Sequence, residues 1–419
     1  MKATPRPKVL LYSDCSFFAG CENMPANLLN SPELAGEFDI LFAYRDSARY
    51  AAGLASRVRP EARTIPLNIP AIEGVLEALD RRGLSVVSGA LRFTGLLLAL
   101  KYLFALYSSV VLFFLLRRIR PDILHINNGG YPGAYSCVSA VFAAKRAGVA
   151  RVVFVVNNVA VPYSGISRRL EKAIDAFVGR NVSVFVTGSR YAGDKLREVL
   201  KLPAEKVLNI PNGIAARPVK ESAAAVMERL GIPADFTVLG NVAVLEPRKG
   251  HAYLLEALAR VREKFGGFSK VVLLIEGTGS ERERLDKLAE RLGIRDNVRF
   301  LGREPNVFDL MRIFDVFILP STGYEDFPNV ILEAMSLGKP VIGTRVAGIP
   351  EQVQDGETGL VVEPADTEAL SAAILRLLTD AQARGEMGLK GLERFNARFA
   401  YGKAIGNYAA FYRGLMRAA

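Results

Sequence analysis

Short, nearly continuous runs of Val, Ile and Leu recur along this chain, each followed by a stretch of helical periodicity, and the series is interrupted once. The first set comprises Lys8–Tyr12, Ile40–Ala43, Ile123–Ile126, Arg151–Val156, Val182–Thr187 and Val207–Ile210. Pro211-Asn212-Gly213 breaks it. The pattern then restarts with Thr237–Val244, Val271–Glu276, Val298–Leu301, Val316–Pro320, Pro340–Thr344 and Gly359–Val362. A strand without polar alternation is covered on both faces, the situation of parallel sheets wrapped by crossover helices. Two such sets predict an α/β chain of two Rossmann-like, doubly wound domains. Ligands of such sheets sit beyond the carboxyl ends of the strands, so two facing domains would enclose a cleft. A length of 419 residues and a hydrophobic fraction of 50% suit two domains with real cores and exclude a disordered chain.

One segment does not fit a plain α/β chain. Residues 84–116 are strongly apolar, and the 24 residues from Phe93 to Leu116 carry one charge, Lys101, before Arg117, Arg118 and Arg120. Length and apolarity approach those of a membrane-spanning helix. Strand-like runs of one domain flank the segment, however, and a single crossing would split one sheet across a bilayer. A span is therefore rejected. Two readings remain: a buried or dimer-forming helical pair, or a monotopic surface that dips into a membrane, with Phe104, Leu106, Val110 and Phe113 as its apolar positions. The charge distribution favours the membrane. The net charge is +11, yet residues 1–210 hold 27 basic and 16 acidic side chains, whereas residues 211–419 hold 27 of each. The whole excess lies in the half that carries the apolar segment, and anionic head groups attract such a surface.

Cys15, Cys21 and Cys137 are too few and too scattered for a disulfide framework or a zinc site, and His125 and His251 are far apart in sequence. Met1–Pro7 leads straight into a strand-like run, so the expected setting is reducing and cytosolic.

The chemistry concentrates in Pro320-Ser321-Thr322-Gly323-Tyr324-Glu325-Asp326-Phe327-Pro328-Asn329-Val330-Ile331-Leu332-Glu333. Pro328 suits the first turn of a helix, which would leave Phe327, Pro328, Asn329 and Val330 at a helix N-terminus whose backbone N–H groups favour phosphate. Glu333, about one turn further in, can accept hydrogen bonds from sugar hydroxyls, and Glu325 on the preceding loop can face a transferring sugar. The segment resembles the Glu-x7-Glu signature of the family 4 GT-B glycosyltransferases, retaining enzymes that use nucleotide-diphosphate sugars. The resemblance extends through Glu246-Pro247-Arg248-Lys249-Gly250-His251, Glu276-Gly277-Thr278-Gly279, Gly338-Lys339-Pro340, Gly348-Ile349-Pro350-Glu351 and Asp355-Gly356-Glu357-Thr358-Gly359.

That resemblance implies a role for each position. Lys249 would hold the donor diphosphate, Glu333 the ribose, and Glu325 would contact the donor sugar. Gly277 and Gly279 would line the nucleotide pocket, where a side chain would obstruct close approach. Gly20, in Phe18-Ala19-Gly20-Cys21-Glu22-Asn23, would let backbone approach the donor phosphate. Two departures stand out. The family's arginine five or six positions before the lysine is replaced by Val244 or Ala243, with Arg248 as the candidate substitute. The active-site histidine of many relatives corresponds to Asn157, which can hydrogen-bond a sugar hydroxyl but cannot exchange a proton near neutral pH. His125, in Arg120-Pro121-Asp122-Ile123-Leu124-His125, reads as structural.

The expectation is thus a retaining, metal-independent glycosyltransferase, since the chain holds no Asp-x-Asp. The catalytic set would be Glu325, Lys249 and Asn157. Residues 1–211 would bind the acceptor, residues 212–395 a UDP- or GDP-sugar, and residues 396–419 would form a helix crossing back to the first domain. The apolar segment implies a lipid-linked acceptor saccharide, on polyprenyl diphosphate, at the anionic inner face of the cell membrane, with a homodimer left open. Rival readings are a soluble family 4 transferase acting on a small acceptor, a donor-binding protein without turnover, and a basic nucleic-acid-binding protein. No nucleic-acid motif accompanies the charge in support of the last.

Overall fold

The computed structural model describes residues 5–18, 20–83, 96–215, 217–304 and 306–417. The chain forms two compact units. The first comprises the chain up to Gly188, Ala192–Ile210 and everything from Ile405 onward; the second comprises Ser189–Tyr191 and Pro211–Ala404.

Among the described residues the first unit has seven parallel strands: β1 (Lys8–Ser13), β2 (Asp39–Arg45), β3 (Thr64–Leu67), β4 (Ile123–Asn128), β5 (Arg151–Val156), β6 (Val184–Thr187) and β7 (Val207–Asn209). Their order is β3-β2-β1-β4-β5-β6-β7. The central strands are buried along nearly their whole length, as strands covered on both faces must be. The sequence runs do not include β3. It has four residues, of which Thr64 and Pro66 are exposed, and proline is tolerated there because the strand is an edge.

The apolar segment becomes one helix over Leu96–Ile119, and residues 84–95 lie outside the described residues. Strands β3 before it and β4 after it lie in one sheet. Among the described residues it is the one helix long and apolar enough to cross a membrane, with a mean hydropathy of 2.0 over Ala99–Ile119. One face is anchored: Leu112 and Leu116 are buried, and Ser139 on the neighbouring Tyr135–Ala147 helix donates to the Ala105 carbonyl at 2.8 Å. The opposite face leaves Leu103, Leu106, Tyr107, Val110 and Phe114 exposed. Phe113, expected on the outward surface, packs against the core instead.

The second unit has six parallel strands among the described residues: β8 (Thr237–Val242), β9 (Val271–Glu276), β10 (Val298–Gly302), β11 (Val316–Leu319), β12 (Val341–Thr344) and β13 (Gly359–Val362). They are ordered β10-β9-β8-β11-β12-β13. The chain runs outward from β8 to β10 and then returns to the other side of β8. The switch point of this sheet therefore lies between the carboxyl ends of β8 and β11, where doubly wound sheets bind ligands.

The helical pattern near the C-terminus is not continuous. A helix over Ala381–Arg398 stops at Phe399, which packs edge-on against Phe327 at 5.6 Å, and a second helix runs from Tyr401 to Arg417. The backbone groups freed at the break bond to Ile214: its N–H donates to the Phe399 carbonyl and its carbonyl accepts from Tyr401 N–H, both at 3.2 Å. Beyond Ile405 the last helix packs in the first unit. There the Tyr412 hydroxyl and His125 Nδ1 share a buried hydrogen bond of 2.7 Å. Burial holds the His125 pKa down at about 3, so the ring is neutral, as befits a packing role.

Candidate active site

Three loops meet at the switch point of the second sheet. The loop after β8 runs into a single 3-10 turn, Pro247–Lys249, and Gly250 leaves it with φ +73°. A Cβ at Gly250 would lie 1.9 Å from the Pro320 carbonyl oxygen, so only glycine lets this turn sit against the loop after β11. Thr322 N–H closes the junction by donating to the Arg248 carbonyl at 2.8 Å.

This junction brings Lys249 to Glu325. The Lys249 ammonium donates to Glu325 Oε1, Ser321 Oγ donates to the same oxygen at 2.8 Å, and an Arg248 guanidinium nitrogen lies 3.7 Å from it. Arg248 also donates to the Tyr324 carbonyl at 3.3 Å and pairs through Nε with Glu246 at 2.8 Å. Adjacent residues on a turn can diverge, but here Arg248 and Lys249 converge on one nearly buried carboxylate. Val244, at one of the positions where the arginine was expected, is exposed.

Glu333 pairs with a different residue from Glu325. Pro328 is the residue preceding the Asn329–Ser336 helix rather than part of its first turn, Asn329 and Val330 open the helix, and Phe327 is buried in the core. Glu333 accepts from Arg217 at 2.6 Å, and Asn329 Oδ1 accepts from Asn212 at 3.1 Å. Arg217 and Ser321 were not singled out in the sequence. Ser321 lies inside the motif segment, whereas Arg217 sits in the boundary loop with no pattern around it.

Gly277 and Gly279 are required by the chain's own backbone. Gly277 has φ +137°, and a Cβ there would lie 1.9 Å from the Ala243 carbonyl oxygen; at Gly279 it would lie 2.3 Å from that of Leu245. The glycines thus allow the loop after β9 to pack on the loop after β8. His251, just past the turn, is buried with neither ring nitrogen hydrogen-bonded, and burial reinforced by the Lys249 charge holds its pKa at about 4.

In the first unit Asn157 follows β5. Its amide donates to Asn127 Oδ1 at 2.8 Å and to the Asn128 carbonyl at 2.9 Å. Asn127 in turn donates to Glu22 Oε1 at 3.1 Å, and Glu22 also accepts from Ser13 at 2.7 Å and from Tyr50. Burial pushes the Glu22 carboxyl pKa up. Gly20 opens the 3-10 turn Gly20–Glu22 beside this network. A cavity of about 610 Å³ opens nearby, with Asp14, Arg45 and Ser136 on one side and Lys101, Phe104 and Ser108 of the apolar helix on the other. Arg45 pairs with Asp14 at 2.6 Å, and Lys101 with Glu171 at 2.7 Å.

Two doubly wound parallel units, one carrying a lysine–arginine turn and carboxylates at its switch point, define a nucleotide-binding class of α/β protein. Family comparisons agree and go further. A model described as "glycosyl transferases group 1" matches residues 223–394, and one described as "glycosyl transferase 4-like domain" matches residues 45–213. The chain belongs to these GT-B glycosyltransferases. It is similar to N-acetyl-alpha-D-glucosaminyl L-malate synthase of Bacillus anthracis, 35% identical over 40% of this chain and 45% of that protein. It is also similar to the lipopolysaccharide core biosynthesis glycosyltransferase LpsE of Rhizobium meliloti, 35% identical over 41% of this chain and 48% of that protein. The matched stretch spans about half the length of these curated relatives. The crystal structure of Anabaena Alr3699/HepE in complex with UDP superposes with a TM-score of 0.74 at 19% identity, over 97% of this chain and 100% of that one, a likeness that carries the fold.

Proposed function

We propose that this protein is a retaining glycosyltransferase that moves a sugar from a UDP- or GDP-sugar to a polyprenyl-diphosphate-linked saccharide at the inner face of the cell membrane. The observation that carries the donor half is the convergence of Lys249 and Arg248 on Glu325 at the switch point. As the sugar–phosphate bond breaks, negative charge builds on the departing diphosphate. Two fixed cations in a partly dehydrated turn offset that charge. Arg248 then does the work of the arginine absent at Ala243 and Val244. Donor binding would draw Lys249 from Glu325 toward phosphate and free the carboxylate to face the sugar. Asn329 and Val330 offer helix N-terminal N–H groups, and Glu333 offers a carboxylate to the ribose. Asn157 hydrogen-bonds a sugar hydroxyl without taking a proton, so the leaving phosphate itself assists the attack. No metal is assigned, because the chain lacks Asp-x-Asp.

The acceptor half rests on the Leu96–Ile119 helix. Its exposed stripe of Leu103, Leu106, Val110 and Phe114 is followed by Arg117, Arg118 and Arg120, a pairing suited to an anionic bilayer surface. The same helix lines the cavity, which suits an acceptor with a lipid end and a saccharide end. The name of the Rhizobium relative, a lipopolysaccharide core enzyme, fits an acceptor of that kind. The stripe also fits a second copy of the chain in a soluble transferase, and one set of measurements separates the two. Vesicles containing anionic lipid should co-sediment the protein, and Leu106→Ser/Val110→Ser/Phe114→Ser should abolish this while UDP or GDP still raises the melting temperature. A stable dimer in detergent-free buffer with no vesicle binding would overturn the membrane reading. Lys249→Ala should lower turnover about 100- to 1,000-fold, the usual effect of losing one charge-stabilising group. Unchanged turnover would overturn the donor reading.

A further inference from the structure

The loop after β1 carries two thiols that the proposed reaction does not use. Cys15 Sγ and Cys21 Sγ lie 3.9 Å apart, both half-buried, and Cys21 Sγ donates to Glu22 Oε1 at 3.7 Å. Cys15, Cys21 and Glu22 together present ligand atoms within 4.8 Å of one another, as a metal site would. Glu22 Oε1, however, already accepts from Ser13 and Asn127 as well as from Cys21, so its lone pairs are committed. What remains is a pair of neighbouring sulfurs on a short loop. Cys137, the third cysteine, is buried beneath.

We propose that Cys15 and Cys21 are a modification site, a dithiol that a small-molecule disulfide oxidises to an intramolecular bridge, and that the bridge regulates the transferase proposed above. The Cys21 sulfur, after giving up its proton, attacks one sulfur of the oxidant and expels a thiolate, which takes that proton. The Cys15 sulfur then attacks Cys21 in the mixed disulfide; the second thiolate leaves and takes the Cys15 proton. Two protein thiols lose two electrons, and the oxidant is reduced to two thiols. Hydrogen bonding to Cys21, followed by burial, pushes the Cys15 pKa up, so the Cys15 thiol keeps its proton until the second step.

The consequence for the site follows from the contacts. Bridging draws the sulfurs from 3.9 Å to about 2 Å. Cys15 lines the cavity with Asp14 and Ser136, so its displacement reshapes that wall. Cys21 loses the hydrogen it donates to Glu22, the hub that holds Asn127 and, through it, Asn157. Oxidation therefore reaches both the cavity and the asparagine proposed to touch sugar.

The test uses the full chain equilibrated with oxidised or reduced glutathione, followed by alkylation and peptide mass analysis. The expected result is a Cys15–Cys21 bridge in the oxidised sample, with Cys137 alkylated only after unfolding. Separate glutathione adducts or free thiols at both positions would overturn the site. Because this readout needs no turnover, it stands even if the transferase reading fails. With a working acceptor, turnover should fall on oxidation and return with dithiothreitol, and Cys15→Ser/Cys21→Ser should show no redox response. A bridge that forms without changing turnover would overturn the regulatory half.

Discussion

Replacing Gly277 with alanine distinguishes two reasons for a glycine beside a nucleotide site. If the residue is glycine because a ligand must come close, the substitution should spare folding and impair binding. Packing supplies a second reason. A methyl group at Gly277 would meet the Ala243 carbonyl oxygen at 1.9 Å and its carbon at 2.9 Å, on a backbone with φ +137°. Retreat is blocked, because Gly277 N–H donates to the Gly302 carbonyl at 2.8 Å and Ala243 N–H to the Glu276 carbonyl at 3.0 Å. Backbone strain at such a φ costs about 1–3 kcal/mol. Forcing apart a packed contact adds about 1–3 kcal/mol, for a total of about 2–6 kcal/mol. Gly356 is the control: its φ is +75° and nothing lies within 4 Å of its added Cβ, so Gly356→Ala should cost the strain alone. Urea unfolding without nucleotide measures both. The reasoning is refuted if Gly277→Ala is as stable as Gly356→Ala yet no longer responds to UDP or GDP.

Two further perturbations probe the interior. His251 has a folded pKa of about 4, below its unfolded value of about 6.5, so the unfolded chain takes up the proton first. Its contribution is complete above pH 6.5 and declines as the pH falls toward 4, by about 2 kcal/mol at pH 5. The loss of stability between pH 8 and pH 5 should therefore shrink by that amount in His251→Gln, and an unchanged slope would contradict a buried neutral ring. Tyr412→Phe leaves His125 Nδ1 buried and unpaired and should cost about 1–3 kcal/mol in urea unfolding; a loss below about 0.5 kcal/mol would mean the hydrogen bond is not formed.

The fold was legible because parallel strands covered on both faces leave an unbroken apolar signature, as in Val271–Glu276, where every residue is buried. Thr64–Leu67 escaped notice because an edge strand with a proline leaves no such signature. The break at Phe399 was equally hidden, since the backbone groups it frees are satisfied by Ile214, far away in the chain. At the site, the pattern around Pro328 points to Glu325 and Glu333, and the family resemblance to Lys249, but neither points to their partners. That Arg248 and Lys249 share Glu325 depends on the handedness of one turn, and that Arg217 reaches Glu333 depends on the path of a loop. Packing adds a reason of its own for Gly277 and Gly279, room for Ala243 and Leu245. Three cysteines are too few for a disulfide framework, but their number says nothing of the 3.9 Å between the Cys15 and Cys21 sulfurs.

The return of the chain at Ile405 has a consequence for synthesis. Tyr408 and Tyr412 close over His125 in the first unit, and they follow the second unit in the sequence. A nascent chain completes β1 to β7 early but cannot cover that part of the sheet until the second unit has already been translated. The first unit is thus begun before the second and completed after it. Its histidine lacks this cover until the second unit has been made.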